Sequence, residues 1–235
     1  MVLMAAAVQQ QHVVGGESLT IEAEEEALLE RPLSTTRIVG GTVVEDRTRY
    51  PYFALLGVTL TSGTVSRCGG ALIHDDIVLT VAHCGLDVAT MEIRVNVTFS
   101  SVFLRGSHLR TPVAFAPHEL YNRDTNHHDL MLIKLNQPVP DTVPKLRYNR
   151  NDRQPRNHTP VTVMGFGSQS VSGRWSGNLR QVQVRVVDFD NCNDANSYAG
   201  RIDDSIQLCA GVAEGGKVRF LHYCCILLLL LWTIV

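Results

Sequence analysis

The chain has 235 residues, of which 45% are hydrophobic and 19% charged, with a formal net charge of −2 at pH 7. That length suits one all-β domain with extensions, and the apolar content is enough for a sizeable core. A balance so close to neutral gives no electrostatic basis for nucleic acid or an anionic membrane as partner.

Met1 to Val8 is apolar, with Ala5-Ala6-Ala7 as a candidate cleavage point but no positive residue before it. It is read as a candidate signal segment over residues 1–8. Residues 9–37 change character, with Glu17, Glu22, Glu24, Glu25, Glu26 and Glu30 dominating. Such a stretch buries little apolar surface and reads as a solvated leader or propeptide. Pro32 and Ser34-Thr35-Thr36 close it as a linker.

From Ile38 the texture becomes that of β-structure. Short apolar runs recur between turn signals: Tyr52 to Leu60, Ala71 to Ile73, Ile77 to Val81, Ile93 to Phe99, Leu130 to Leu135, Val161 to Met164 and Val182 to Val187. Gln181-Val182-Gln183-Val184-Arg185-Val186 alternates at the strand period of two. With no long amphipathic helix, many short strands predict a sandwich or barrel. After Lys217 the texture breaks, and residues 220–235 are almost wholly apolar, including the run Leu227 to Leu231. A membrane span needs ~20 apolar residues, so this tail falls short of one and is not expected to contact a membrane.

Six cysteines are present: Cys68, Cys84, Cys192, Cys209, Cys224 and Cys225. The first four lack the paired spacing of a zinc site, so a disulfide framework and an oxidising compartment are the reading. Two glycosylation sequons, at Asn96 and Asn157, point the same way. No metal or cofactor is called for: Asn96 to His108 contains no acidic residue to hold calcium. His127 and His128 are of ligand type, but adjacent strand residues point to opposite faces.

Three motifs bear on chemistry. In Arg37-Ile38-Val39-Gly40-Gly41 a basic residue precedes a branched apolar one, a cleavage site for a trypsin-like activator that would free an ammonium on Ile38. Alone, the same five residues also read as the start of a strand. Cys68-Gly69-Gly70-Ala71-Leu72-Ile73 and Leu79-Thr80-Val81-Ala82-His83-Cys84 bracket two strands around His74-Asp75-Asp76. A disulfide between Cys68 and Cys84 would pin that hairpin and hold His83 at a strand end, where imidazole serves as a general base near neutral pH. The third is His128-Asp129-Leu130-Met131-Leu132-Ile133-Lys134-Leu135.

Together these stretches resemble the trypsin/chymotrypsin-like serine protease family. The resemblance implies two six-stranded antiparallel barrels with the active site between them, and a triad in the chain order His, Asp, Ser. It assigns His83 as the base and Asp129 as the carboxylate that orients it, with Met131 standing where the family usually has alanine. Gly165-Phe166-Gly167 resembles the family's Gly-Trp-Gly, Cys192 and Cys209 match its second-barrel disulfide, and Gly215-Gly216-Lys217 matches the residues before the serine block. The domain is thus expected over residues 38–217. Protein or peptide substrates, and an activating protease at Arg37-Ile38, follow as implied partners.

The family continues from Gly-Gly-Lys into Asp-Ser-Cys-x-Gly-Asp-Ser-Gly-Gly-Pro, but here Val218-Arg219-Phe220 follows and no Gly-Asp-Ser-Gly-Gly occurs. That block supplies the nucleophile, the oxyanion amides and the base of the specificity pocket. The expectation is an incomplete second barrel, an inactive chain, and a non-family tail over residues 218–235. Lys217-Val218-Arg219 can be encoded by AAG GTA AGA, which reads as a splice donor, making the tail translated intron. The alternatives are a serine-less binding module, or a membrane-associated protein held by the tail; otherwise the expected location is secreted.

Overall fold

The computed structural model describes residues 2–4, 41–46, 48–99, 106–147, 155–167, 176–195 and 197–211. Arg37, Ile38, residues 9–37, Gly215-Gly216-Lys217 and the tail over 218–235 lie outside the described residues.

The strands in chain order are β1 (Val2–Met4), β2 (Thr42–Val43), β3 (Phe53–Leu60), β4 (Val65–His74), β5 (Ile77–Thr80), β6 (Val88–Val95), β7 (His108–Arg110), β8 (Pro112–Pro117), β9 (Met131–Leu135), β10 (Pro160–Gly165), β11 (Arg180–Val186) and β12 (Ala210–Gly211). A 3-10 turn covers Ala82–Gly85 and a short helix, α1, covers Phe189–Cys192. The all-β expectation holds, and the strands form two sheets.

The first sheet has the order β7-β6-β3-β4-β5-β9-β8, with every pair antiparallel. Its two outer strands, β7 and β8, are consecutive in the chain and separated only by Thr111. They are one strand broken at a bend, so the sheet curls back on itself and seven named strands make the expected six. The break has a local cause. Pro112 has no N–H to donate, while Thr111 turns to Asn136, donating its N–H to Asn136 Oδ1 (3.1 Å) and accepting from Asn136 N (2.9 Å).

Period-two alternation places the core. In β9, Met131, Ile133 and Leu135 are buried and Leu132 and Lys134 exposed. Phe53, Leu56, Leu72, Ile93 and Ile133 fill the barrel interior. Close packing also explains Gly70, the second glycine after Cys68. A Cβ on Gly70 would sit 2.8 Å from Val78 Cγ1 and 3.0 Å from Leu79 O. Only a bare backbone lets β4 approach β5 there.

The second sheet runs β1-β10-β11-β12, with β2 also pairing β11. Val182, Val184 and Val186 point inward from β11, as the alternation predicts. The N-terminal strand β1, within the candidate signal segment, pairs in parallel with Thr162 to Met164 of β10. Among the described residues this sheet has five strands.

The halves are joined by packing and by main-chain bonds. The ring of Phe166, in the Gly165-Phe166-Gly167 stretch, lies 5.8 Å from that of Phe53 at 55°. Leu179 N donates to Thr98 O (2.7 Å) and Val44 N to Leu179 O (2.8 Å). Tyr50 donates its hydroxyl proton to Gln181 Oε1, and Arg180 Nη2 donates to Gly41 O.

Candidate active site

His83 sits in the 3-10 turn that follows β5. Two constraints hold that turn. Cys84 is disulfide-bonded to Cys68 on β4. Thr80, fully buried at the end of β5, donates its hydroxyl proton to Gly69 O (2.8 Å). The turn therefore inherits the rigidity of the β4–β5 hairpin.

Asp129 comes from the neighbouring strand, just before β9, which pairs with β5 at Thr80 and Met131. His128 precedes it with φ of 53°, a left-handed conformation uncommon for a non-glycine residue. Leu130 N then donates to His128 O (2.7 Å), closing a tight turn that aims Asp129 inward. The carboxylate is 2% exposed as a residue and receives two contacts from His83. His83 N donates to Oδ1 (2.8 Å), and His83 Nδ1 lies 2.5 Å from Oδ2. A buried carboxylate needs such partners, since an unpaired charge away from water is strongly penalised. With the Nδ1 proton directed at the carboxylate, the other ring nitrogen, Nε2, is left with a lone pair that can take a proton. The imidazole side chain remains one-fifth exposed.

These two side chains are 46 residues apart in the chain. A carboxylate-oriented imidazole is an arrangement able to accept and return a proton. A family model described as Trypsin matches residues 38–219. The chain belongs to the trypsin family. Trypsin of Sarcophaga bullata is 35% identical over 74% of this chain and 67% of its own length. Granzyme B of Homo sapiens is 31% identical over 78% and 72%, respectively. The transmembrane protease serine 11E of Mus musculus is 33% identical over 78% of this chain but only 42% of that protein. The solved structure of GrC superposes with a TM-score of 0.70 over 75% of this chain and 77% of that one, at 24% identity, which supports the shared fold. Family members act on proteins, so the substrate class of this trypsin-family chain's relatives is protein.

Other residues singled out in the sequence fall as follows. Cys192 and Cys209 form a second disulfide, tying α1 to the segment before β12. Asn96 adopts φ of 60° and donates from Nδ2 to Gly106 O (3.0 Å), while Asn157 is exposed and donates from Nδ2 to Asp188 Oδ2 (2.7 Å). The His128 ring stacks on that of His118, centroids 4.8 Å apart. Among the described residues one trio of ligand-type side chains converges, Cys68, His83 and Cys84, and both sulfurs are spent in the disulfide.

Sequence reasoning missed the contacts that seat these residues. Phe166 was visible only as a substitute for tryptophan, and its packing on Phe53 depends on residues 113 positions away having been brought beside it by both sheets. Asp203 was not singled out. Its carboxyl is held below the usual range first by a hydrogen bond from the Ser205 hydroxyl, and His127 and His128 add their charge, so the 203–207 segment lies within electrostatic range of the loop before Asp129.

Proposed function

We propose that this chain carries the base and orienting carboxylate of a secreted trypsin-like endopeptidase, and that these 235 residues do not themselves cleave peptide bonds. The single observation that carries the first half is the His83 Nδ1–Asp129 Oδ2 contact of 2.5 Å, reinforced by His83 N on Oδ1. In the intact domain His83 takes the proton of the serine hydroxyl and returns it to the leaving amine, while Asp129 keeps the imidazole in the right tautomer and stabilises its cation.

The second half rests on the sequence. No Gly-Asp-Ser-Gly-Gly is present, so there is no serine to form an acyl-enzyme and no oxyanion amides around it. Oxyanion donors are commonly worth ~10²–10³ in rate, so a water held by His83 alone does not replace them. The family match ends at 219, beside Lys217, where a splice donor is proposed. In this reading residues 38–217 are the protease domain, residues 1–37 the leader released by cleavage at Arg37-Ile38, and residues 218–235 a read-through tail. Two disulfides support passage through an oxidising compartment.

The test has two parts. Full-length transcripts are sequenced across the codons for Gly215-Gly216-Lys217. In parallel, the 235-residue chain and a version joined after Lys217 to the genomic serine-bearing exon are cut at Arg37-Ile38 and assayed on fluorogenic peptides. The expected outcome is turnover only by the joined version, and loss of that turnover with His83→Ala. Turnover by the 235-residue chain, or read-through in every transcript, overturns the proposal and leaves a serine-less binding protein.

A further inference from the structure

Met131 and Gly85 lie at equivalent steps along the two segments that carry the site. Gly85 is two residues beyond His83 at the end of the 3-10 turn, and Met131 is two residues beyond Asp129 at the start of β9. They touch. A Cβ placed on Gly85 would stand 2.6 Å from Met131 Sδ and 2.9 Å from its Cε, with Phe115 Cδ1 at 4.0 Å. Real Cβ atoms do not approach other atoms so closely, so the thioether occupies the space that any side chain at 85 would need. Gly85 has no left-handed φ to explain it. What a side chain at 85 would meet is this thioether, which would have to swing aside, and the backbone conformation itself sets no barrier. Met131 is buried and unbranched, able to lie flat on a bare main chain.

We infer that Met131 and Gly85 are a positioning pair for the His83–Asp129 dyad. Two side-chain contacts between the turn and the strand bear on the site. One is the imidazole on the carboxylate. The other is the thioether on Gly85. Added to the disulfide and to the Thr80–Met131 strand pairing, this second side-chain contact resists tilting of the turn against β9. Tilt matters because Nδ1 and the backbone N–H of His83 must reach different oxygens of one carboxylate at once. The inference rests on the dyad reading above and adds to it the residues that hold the dyad in register. It also gives a physical role to Met131, which the sequence marks as a departure from the usual alanine.

The test is proton NMR on the full chain with its disulfides intact. The readout is the far-downfield Nδ1–H resonance of His83, which reports the bond to Asp129 and does not respond to general loss of stability while the chain stays folded. Gly85→Ala is expected to abolish that resonance by pushing the turn off β9. Gly85→Ala combined with Met131→Ala is expected to restore it, the alanine methyl taking the place of the thioether. Leu132→Ala, on the exposed face of the same strand, leaves it unchanged. An unaltered resonance in Gly85→Ala, or its loss in both the single and the double variant, overturns the positioning role. Where Gly85→Ala fails to fold, Met131→Ala alone carries the test: the resonance broadens as the turn loosens, and an unbroadened signal overturns the inference. A parent chain without the resonance overturns the dyad reading itself, and the positioning pair with it.

Discussion

Asp129 is a buried acid whose two oxygens are both spoken for, and it contrasts with a buried hydroxyl that has no partner. Tyr52 is 5% exposed, and its Oη has no hydrogen-bond partner among the described residues. Burial pushes its phenol well above the usual tyrosine range. A buried donor left unmade costs about 1–3 kcal/mol, so Tyr52→Phe is expected to stabilise the chain by about 1 kcal/mol. A urea midpoint that rises at unchanged slope confirms this; a fall shows that the hydroxyl has a partner. The ring itself stays useful, edge-on to Tyr50 at 6.3 Å. Residue identity was fully legible here, but the missing partner was not, because satisfaction of a hydroxyl depends on what other strands bring within 3 Å of it.

At the level of elements, the β4–β5 hairpin with its 3-10 turn is the unit that holds His83. The Cys68–Cys84 bond closes a loop with a sequence separation of 16 residues. Constraining a loop of that size is worth ~3 kcal/mol, so Cys68→Ala with Cys84→Ala is expected to cost about that much. Hydrogen exchange is expected to show the loss concentrated in Leu79 to Gly85. Uniform loosening across both sheets would mean the bond acts on the unfolded chain alone. The hairpin was legible in sequence because its two cysteines, its turn residues and its alternating apolar runs all agree. Strands β7 and β8 were not. β8 is almost wholly exposed, starts and ends in proline, and carries Val113 and Phe115 toward solvent, so it lacks the buried-face alternation that marks a strand. Its pairing is set instead by β9, which lies 14 residues downstream of its end.

At the scale of the molecule, Phe166 and Phe53 join the two sheets through one continuous core, which also takes in Met164 and Leu179. Phe166→Ala is expected to cost about 3–5 kcal/mol. It is also expected to split a single calorimetric transition into two as the halves uncouple; one transition moved down as a whole would show that other contacts suffice. Acid sensitivity is a second whole-molecule property. Asp76 is held below the usual carboxylate range first by its hydrogen bond with Lys134, Asp141 by Lys145, and Asp46 and Asp203 by the Thr48 and Ser205 hydroxyls. For each, the folded pKa lies below the unfolded one. Their stabilisation is therefore complete above the unfolded value of about 3.9 and fades as pH falls through the folded value. Urea midpoints are expected to drop between about pH 4 and pH 2, and less steeply in Asp76→Asn. A flat profile would show these carboxylates equally paired when unfolded. Read by itself, the chain determined its family and its β class and marked His83 and Asp129 as residues to look for, because each is a matter of residue type and order along a line. Only the tertiary structure decided that the first sheet closes at Thr111, that both oxygens of Asp129 meet His83, that Phe166 bridges the halves, and that a bare Gly85 receives Met131. A period of two says which face a side chain takes, but which distant segment waits on that face is settled by strand register and packing.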